Sequence, residues 1–302
     1  MSYKLRGTIM LLITAMIWGT AFVAQSDGMN YVGAFTYNSC RTLLGGSVLI
    51  PVIALFRAFP QKNSSETPKA PLKTTVIGGI VCGVIFFIAS SFQQAGISMT
   101  TAGKAGFVTA LYVVIVPVIE VFVFRRTRLK VWICCIIAII GFYLLCIKNG
   151  FSISTGDLLV LASAVFYAVH IMVVDRFNAR NIDGTLMSCI QFFTAGTLML
   201  ICMFIFEQPD INSILAAWLP ILYGGVMSCG IAYTLQILGQ RYTDPTVATL
   251  LMSLESVFAA LSGWLLLNES LSLRELAGCA LVFAAVIFAQ IDIKPRPKKS
   301  KV

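Results

Sequence analysis

Ten apolar runs divide the chain, and each is close to the roughly 20 residues that a helix needs to cross the hydrocarbon core of a bilayer. They cover residues 7–25, 33–56, 74–96, 101–124 and 131–148 in the first half, and 157–175, 185–206, 215–239, 246–267 and 274–292 in the second. Polar or turn-forming breaks separate them, among them Gln61-Lys62-Asn63-Ser64-Ser65-Glu66-Thr67-Pro68 and Asp244-Pro245. The pattern predicts an all-α integral membrane protein of ten transmembrane helices. No polar stretch is long enough to hold a soluble domain, and only 12% of the 302 residues are charged. The first run, Gly7 to Ala24, is long enough to span, and Trp18 interrupts any signal-like core, so it reads as the first membrane helix.

The net charge of +9 raises the question of nucleic acid, and the placement of the charge answers it against that partner. Eighteen of the 22 basic residues fall on one face: Lys4, Arg6, Arg57, Lys62, Lys69, Lys73, Arg125, Arg126, Arg128, Lys130, Arg176, Arg180, Arg241, Lys294, Arg296, Lys298, Lys299 and Lys301. The opposite face holds Lys104, Lys148 and Arg274, while Arg41 lies within a span. Basic loops resist translocation, so the expectation is a cell-membrane protein with both termini cytoplasmic and an even number of helices. The basic tail reads as an anchor for the last helix against the lipid. The nine cysteines all sit in apolar runs without CxxC or Cys/His spacing and behave as small apolar residues, so neither a disulfide nor a metal or other cofactor is expected.

The second half repeats the first. Gly7 and Trp18 match Gly156 and Tyr167 at an offset of 149, and RTLLGGSVLI from Arg41 overlays QFFTAGTLML from Gln191 at 150. Beyond the long loop, Gln93, Gly96, Thr100 and Ala105 match Gln236, Gly239, Thr243 and Ala248 at 143, and Leu129-Lys130 and Cys135 meet Leu273-Arg274 and Cys279 at 144. Two five-helix repeats, 1–148 and 149–302, are expected. Five is odd, so the second copy enters the membrane from the other side. Inverted repeats of this kind build the two packings of an alternating-access carrier, with the site between them at the midplane.

The first-helix Trp18-Gly19, Arg41 in the second, Gly103-Lys104-Ala105-Gly106-Phe107 leading to Pro117, and Leu254-Glu255-Ser256-Val257 followed by Leu267-Asn268-Glu269 and Leu271-Ser272 together resemble the EamA-type family of the drug/metabolite transporter superfamily. The resemblance spans the whole chain. It departs from the family pattern at Ser256, where proline is usual, and at Asn268, where glycine is usual. It implies movement of amino acids, amines or other small metabolites, chiefly export, often driven by the proton gradient.

Charged and polar groups at membrane depth are costly and mark function by default. Arg41 lies about 12 Å of helix rise beyond Gly33, and Glu255 about 15 Å beyond Asp244-Pro245, so the two are matched in depth. Either Arg41 holds a substrate carboxylate and Glu255 carries a coupling proton, or the two form a structural pair across the halves. His170, the single histidine, is a second proton-coupling candidate. Gln93 and Gln236 occupy equivalent positions of the two repeats, and Trp18, Tyr112, Tyr167 and Tyr233 lie too deep for the interfacial aromatic belt, so these six join Arg41 and Glu255 as substrate-binding candidates. Glu120 reads as a structural partner of Arg125 and Arg126. An intramembrane enzyme is the main competing class, and it lacks its constellation: there is no HExxH, no GxSxG and no pair of deep aspartates. A non-transporting subunit would not need midplane charge. The expected partners are a small-molecule substrate and the bilayer, with protons as coupling ion and a homodimer left open.

Overall fold

The computed structural model describes residues 3–58, 70–100, 102–124, 129–146, 153–266 and 272–290. The 59–69 loop, the basic cluster at 125–128, Lys148, Leu267-Asn268-Glu269 and the basic tail fall outside these residues. Every regular element among the described residues is helical, as hydrocarbon demands of a chain that must satisfy its own backbone. The first half supplies α1 (Tyr3–Gly28), α2 (Ala34–Ala58), α3 (Leu72–Ile97), α4 (Ala102–Ala110), α5 (Tyr112–Phe124) and α6 (Leu129–Cys146). The second supplies α7 (Thr155–Asn178), α8 (Gly184–Phe206), the short α9 (Ile211–Ala216) and α10 (Trp218–Leu222), a π-helix (Tyr223–Tyr233), α11 (Thr234–Gln240), α12 (Pro245–Met252), α13 (Glu255–Leu266) and α14 (Leu273–Gln290).

These elements gather into ten apolar segments at the positions the runs predict. Eight are long and apolar enough to span by themselves, and the shorter α6 packs against α14. Start signals are explicit in the second half. Ser154 and Asp157 cap the first turn of α7 reciprocally, Asp183 Oδ1 accepts from Leu186 N at the start of α8, and Pro245 opens α12 where its missing N–H costs nothing.

Three segments differ from the single helices expected of them. The fourth breaks at Leu111, between α4 and α5, and the ninth breaks at Ser253-Leu254, between α12 and α13. The eighth leaves α-helical geometry for eleven residues in its π-helix. Mean hydropathy over a window is blind to both events, because a broken or widened helix keeps the same apolar composition. The two breaks are equivalent: Leu111 and Leu254 stand 143 residues apart, the offset of the surrounding repeat. Discontinuous helices at equivalent places in two inverted repeats are a hallmark of carrier sites. Pro117 adds its own signature by withholding an N–H from the Val113 carbonyl, which accepts from Cys135 Sγ instead, at 3.2 Å.

The packing is invariant when the halves are exchanged. α3 packs on α7 as the π-helix and α11 pack on α1; α3 packs on α8 as the π-helix packs on α2; α12 and α13 pack on α1 as α4 and α5 pack on α7. α2 pairs with its counterpart α8, and α6 with its counterpart α14. The glycines show how tightly. A Cβ on Gly96 would sit 2.8 Å from the Gly156 carbonyl, and one on the equivalent Gly239 would sit 3.2 Å from the Gly7 carbonyl, so the same small-residue crossing serves both halves.

On the face where α2 begins, Glu207 at the end of α8 reaches over the helix start. Its carboxylate accepts from Phe35 N at 2.8 Å, Thr36 N at 2.8 Å and Thr36 Oγ1 at 2.6 Å. Three donors, two of them orphan amides at a helix N-terminus, are satisfied by one group. Gly33 leaves room for it, since a Cβ there would lie 2.4 Å from Glu207 Cδ.

Candidate functional site

Between the halves lies a narrow cavity with both polar and apolar walls. Its wall brings together Trp18, Arg41, Gln93, Tyr112, Tyr167, Tyr233, Gln236 and Glu255, all eight of the residues singled out as substrate-binding candidates. They come from seven of the ten segments, and the two broken segments meet here. Tyr112 follows the first break and Glu255 follows the second.

Arg41 is held by one side of its guanidinium. Its Nε donates to Asn38 Oδ1 at 2.8 Å, and Asn38 in turn donates to the Ser90 carbonyl of α3 at 3.0 Å. The guanidinium carbon lies 5.5 Å from the Tyr37 ring centroid. Gly224 of the π-helix lets the side chain pass, at 3.1 Å from Arg41 Cδ to where a Cβ would stand. The two terminal nitrogens have no hydrogen-bond partner among the described residues.

Glu255 is 3% exposed and accepts from the Tyr112 hydroxyl at 3.1 Å through Oε1. Its second oxygen has no partner among the described residues. Tyr112 and Glu255 are equivalent positions at the offset of 143, so this bond joins a residue to its own repeat counterpart. No ion pair joins Arg41 to Glu255, which corrects the reading of a structural pair. Asn38 and Tyr37 orient the arginine and Tyr112 orients the carboxylate, so each charge is anchored locally and keeps an unspent end toward the cavity.

The two glutamines behave differently. Gln93 is spent, accepting from Tyr167 Oη at 3.0 Å and donating to Thr109 Oγ1 at 3.3 Å. Gln236 donates to Gln240 Oε1 at 3.2 Å, and its own Oε1 is unpartnered. Tyr233, the last residue of the π-helix, is the aromatic hub: its ring centroid lies 4.5 Å from Trp18, 4.9 Å from Phe86 and 5.6 Å from Phe192. His170 does not line the cavity. It is fully buried behind Tyr233, at 6.2 Å between ring centroids, with Nε2 2.9 Å from Gln191 Oε1. Gln191 is the repeat counterpart of Arg41, so the same position in the two halves faces the cavity in one and a buried histidine in the other. Glu120 accepts from Thr246 Oγ1 on α12. Arg125 and Arg126, its expected partners, lie outside the described residues.

Five lining residues were not anticipated: Phe22, Gln25, Thr109, Ile171 and Ser228. Thr109 and Ser228 are the small hydroxyls that usually bond within their own helix, and Gln25 stands three residues from the end of α1, where a polar residue reads as interfacial. Among the described residues, no group of three or more His, Cys, Asp or Glu side chains is arranged to hold a metal ion.

Comparison with known proteins adds an independent line. The model of the EamA-like transporter family matches residues 5–147 and again residues 154–290. An uncharacterized transporter of Archaeoglobus fulgidus is 27% identical over 292 residues, covering 96% of this chain and 87% of its own. The threonine/homoserine exporter RhtA of Escherichia coli K12 is 24% identical over 307 residues, covering 97% of this chain and 93% of its own. A crystal structure of a protein at 19% identity superposes with a TM-score of 0.75 over 94% of this chain and 96% of the other, which shows a shared fold.

Proposed function

Because the chain belongs to the EamA-like transporter family, and is therefore a membrane transporter, we propose that it carries small zwitterionic metabolites of the amino-acid type across the cell membrane by alternating access. The observation that carries this reading is the pair of unspent charges in one cavity: the free guanidinium end of Arg41 and the free oxygen of Glu255. A buried cation and a buried anion, each without an ionic partner, are costly. A ligand with a carboxylate and an ammonium group offsets both at once, the carboxylate on Arg41 and the ammonium on Glu255. Simple amines or simple carboxylates relieve only one. The name of the RhtA relative supports the amino-acid class and the outward direction. The surrounding rings of Trp18, Tyr112, Tyr167 and Tyr233 pack on the apolar part of the ligand.

In this scheme the repeats 1–148 and 149–302 rock about the site, and both termini are cytoplasmic, where the basic loops favour them. Glu255 is the preferred carrier of a coupling proton, because it reaches the cavity and His170 does not.

Counterflow into proteoliposomes with labelled amino acids, primary amines and monocarboxylates tests the proposal. Accumulation of amino acids alone is expected, lost in Arg41→Gln. Equal accumulation of amines would remove Arg41 from substrate binding. Glu255→Gln is expected to weaken amino-acid exchange and to lose accumulation driven by a pH gradient; driven accumulation that survives in Glu255→Gln would transfer the proton to another group.

A further inference from the structure

The repeat equates Trp18 with Tyr167 and Gln236 with Gln93, so the cavity wall carries the same aromatic and glutamine positions twice. The two copies are not in the same state. In one, Tyr167 Oη donates to Gln93 Oε1 at 3.0 Å and the couple is closed. In the other, the indole Nε1–H of Trp18 and Oε1 of Gln236 are both buried and both unpartnered. One is a donor and the other an acceptor, and both belong to residues in the cavity wall.

The orientation of the Gln236 amide is not arbitrary. Gln240 Nε2 donates to the Ile171 carbonyl at 3.2 Å, which leaves Gln240 Oε1 to face Gln236. Gln236 must therefore present Nε2 to it, at 3.2 Å, and its oxygen is the end left free. Gln236 itself is only 1% exposed, so bulk water does not complete the couple. An unmatched donor and an unmatched acceptor in the same wall call for a group that can accept from one and donate to the other.

We infer that the open Trp18–Gln236 couple is a specificity subsite for a hydroxyl group on the substrate, the smallest group that is acceptor and donor at once. The substrate oxygen accepts from Trp18 Nε1–H, and its O–H donates to Gln236 Oε1. This deepens the proposed function and rests on the zwitterion reading: Arg41 and Glu255 hold the charged ends, and the open couple reads the side chain. Gln240 acts as a positioning residue, fixing the amide that does the reading.

The test compares isosteric pairs that differ by hydroxyl for methyl, namely threonine against valine, serine against 2-aminobutyrate and homoserine against norvaline. Their dissociation constants are measured on the purified full chain in detergent. The hydroxyl member is expected to bind about ten- to a hundredfold tighter, the range set by leaving two buried polar atoms unmatched. Trp18→Phe and Gln236→Leu are each expected to reduce that ratio to within about threefold of unity by weakening the hydroxyl member alone. The wild-type comparison stands by itself should either variant fail to fold. Equal binding of both members of every pair overturns the subsite and leaves the zwitterion reading intact, with a water molecule filling the couple. Preference that survives unchanged in both folded variants overturns it as well. Binding of no member of any pair overturns the zwitterion reading and the subsite with it.

Discussion

Glu207 fastens the end of α8 to the start of α2, and its removal has a calculable cost. Three donors converge on one carboxylate at 2.6–2.8 Å, and the residue is half-buried, so water replaces only part of what is lost. Hydrogen bonds to a charged acceptor contribute roughly 1.5–3 kcal/mol each where dry, and solvent access lowers that figure. Glu207→Ala is therefore expected to destabilise by about 2–4 kcal/mol. Glu207→Gln, which keeps one acceptor and turns an NH2 toward the remaining donors, is expected to cost about 1–2 kcal/mol. Gly33→Ala expels the same carboxylate sterically, because the new Cβ would stand 2.4 Å from Cδ. The two lesions break one contact, so Gly33→Ala combined with Glu207→Ala should cost little more than the larger single change. Thermal denaturation in detergent gives the ordering, and hydrogen exchange gives the place: the amides of Phe35 and Thr36 should lose protection in each variant. Additive costs in the double variant, or protection at those two amides that survives Glu207→Ala, would refute the clamp.

Replacing His170 by Leu should destabilise by about 1–3 kcal/mol, because Gln191 loses the only partner its amide has among the described residues, while gradient-driven transport persists; loss of driven transport in a stably folded variant would return the proton to His170. Topology is checked by single cysteines on a cysteine-free background, with position 179 expected to label from the cytoplasmic side and position 212 from outside; the reverse accessibility would invert the chain.

Much of this was legible because the bilayer imposes a length. A ruler of about 20 apolar residues, the one-sided distribution of lysine and arginine, and the offsets 143 to 150 lead to ten segments and two copies. Depth and repeat position together pointed to Trp18, Gln93, Tyr167 and Gln236, since an equivalent pair must approach the same axis from both sides. The interactions within the site were not legible. Arg41 and Glu255 match in depth, but depth does not fix azimuth, and the arginine turns to Asn38, three residues earlier on its own helix. Ser253 and Leu111 look like ordinary members of apolar runs, yet there the helices end and restart. The π-helix from Tyr223 to Tyr233 is equally silent, because its glycines permit the widened turn without announcing it.

The bond between Tyr112 and Glu255 is also one that two identical chains could not form. A five-helix chain that inserted in both orientations and paired with itself would place every residue near the axis opposite its own copy. At this position that means tyrosine against tyrosine or glutamate against glutamate, and the second brings two buried carboxylates together. A phenol facing a carboxylate is out of reach for identical chains. Only after duplication and fusion could one copy keep the acid and the other supply its hydrogen-bond donor. A single chain can therefore hold what a symmetric pair cannot, one carboxylate with a phenol donor at its repeat counterpart.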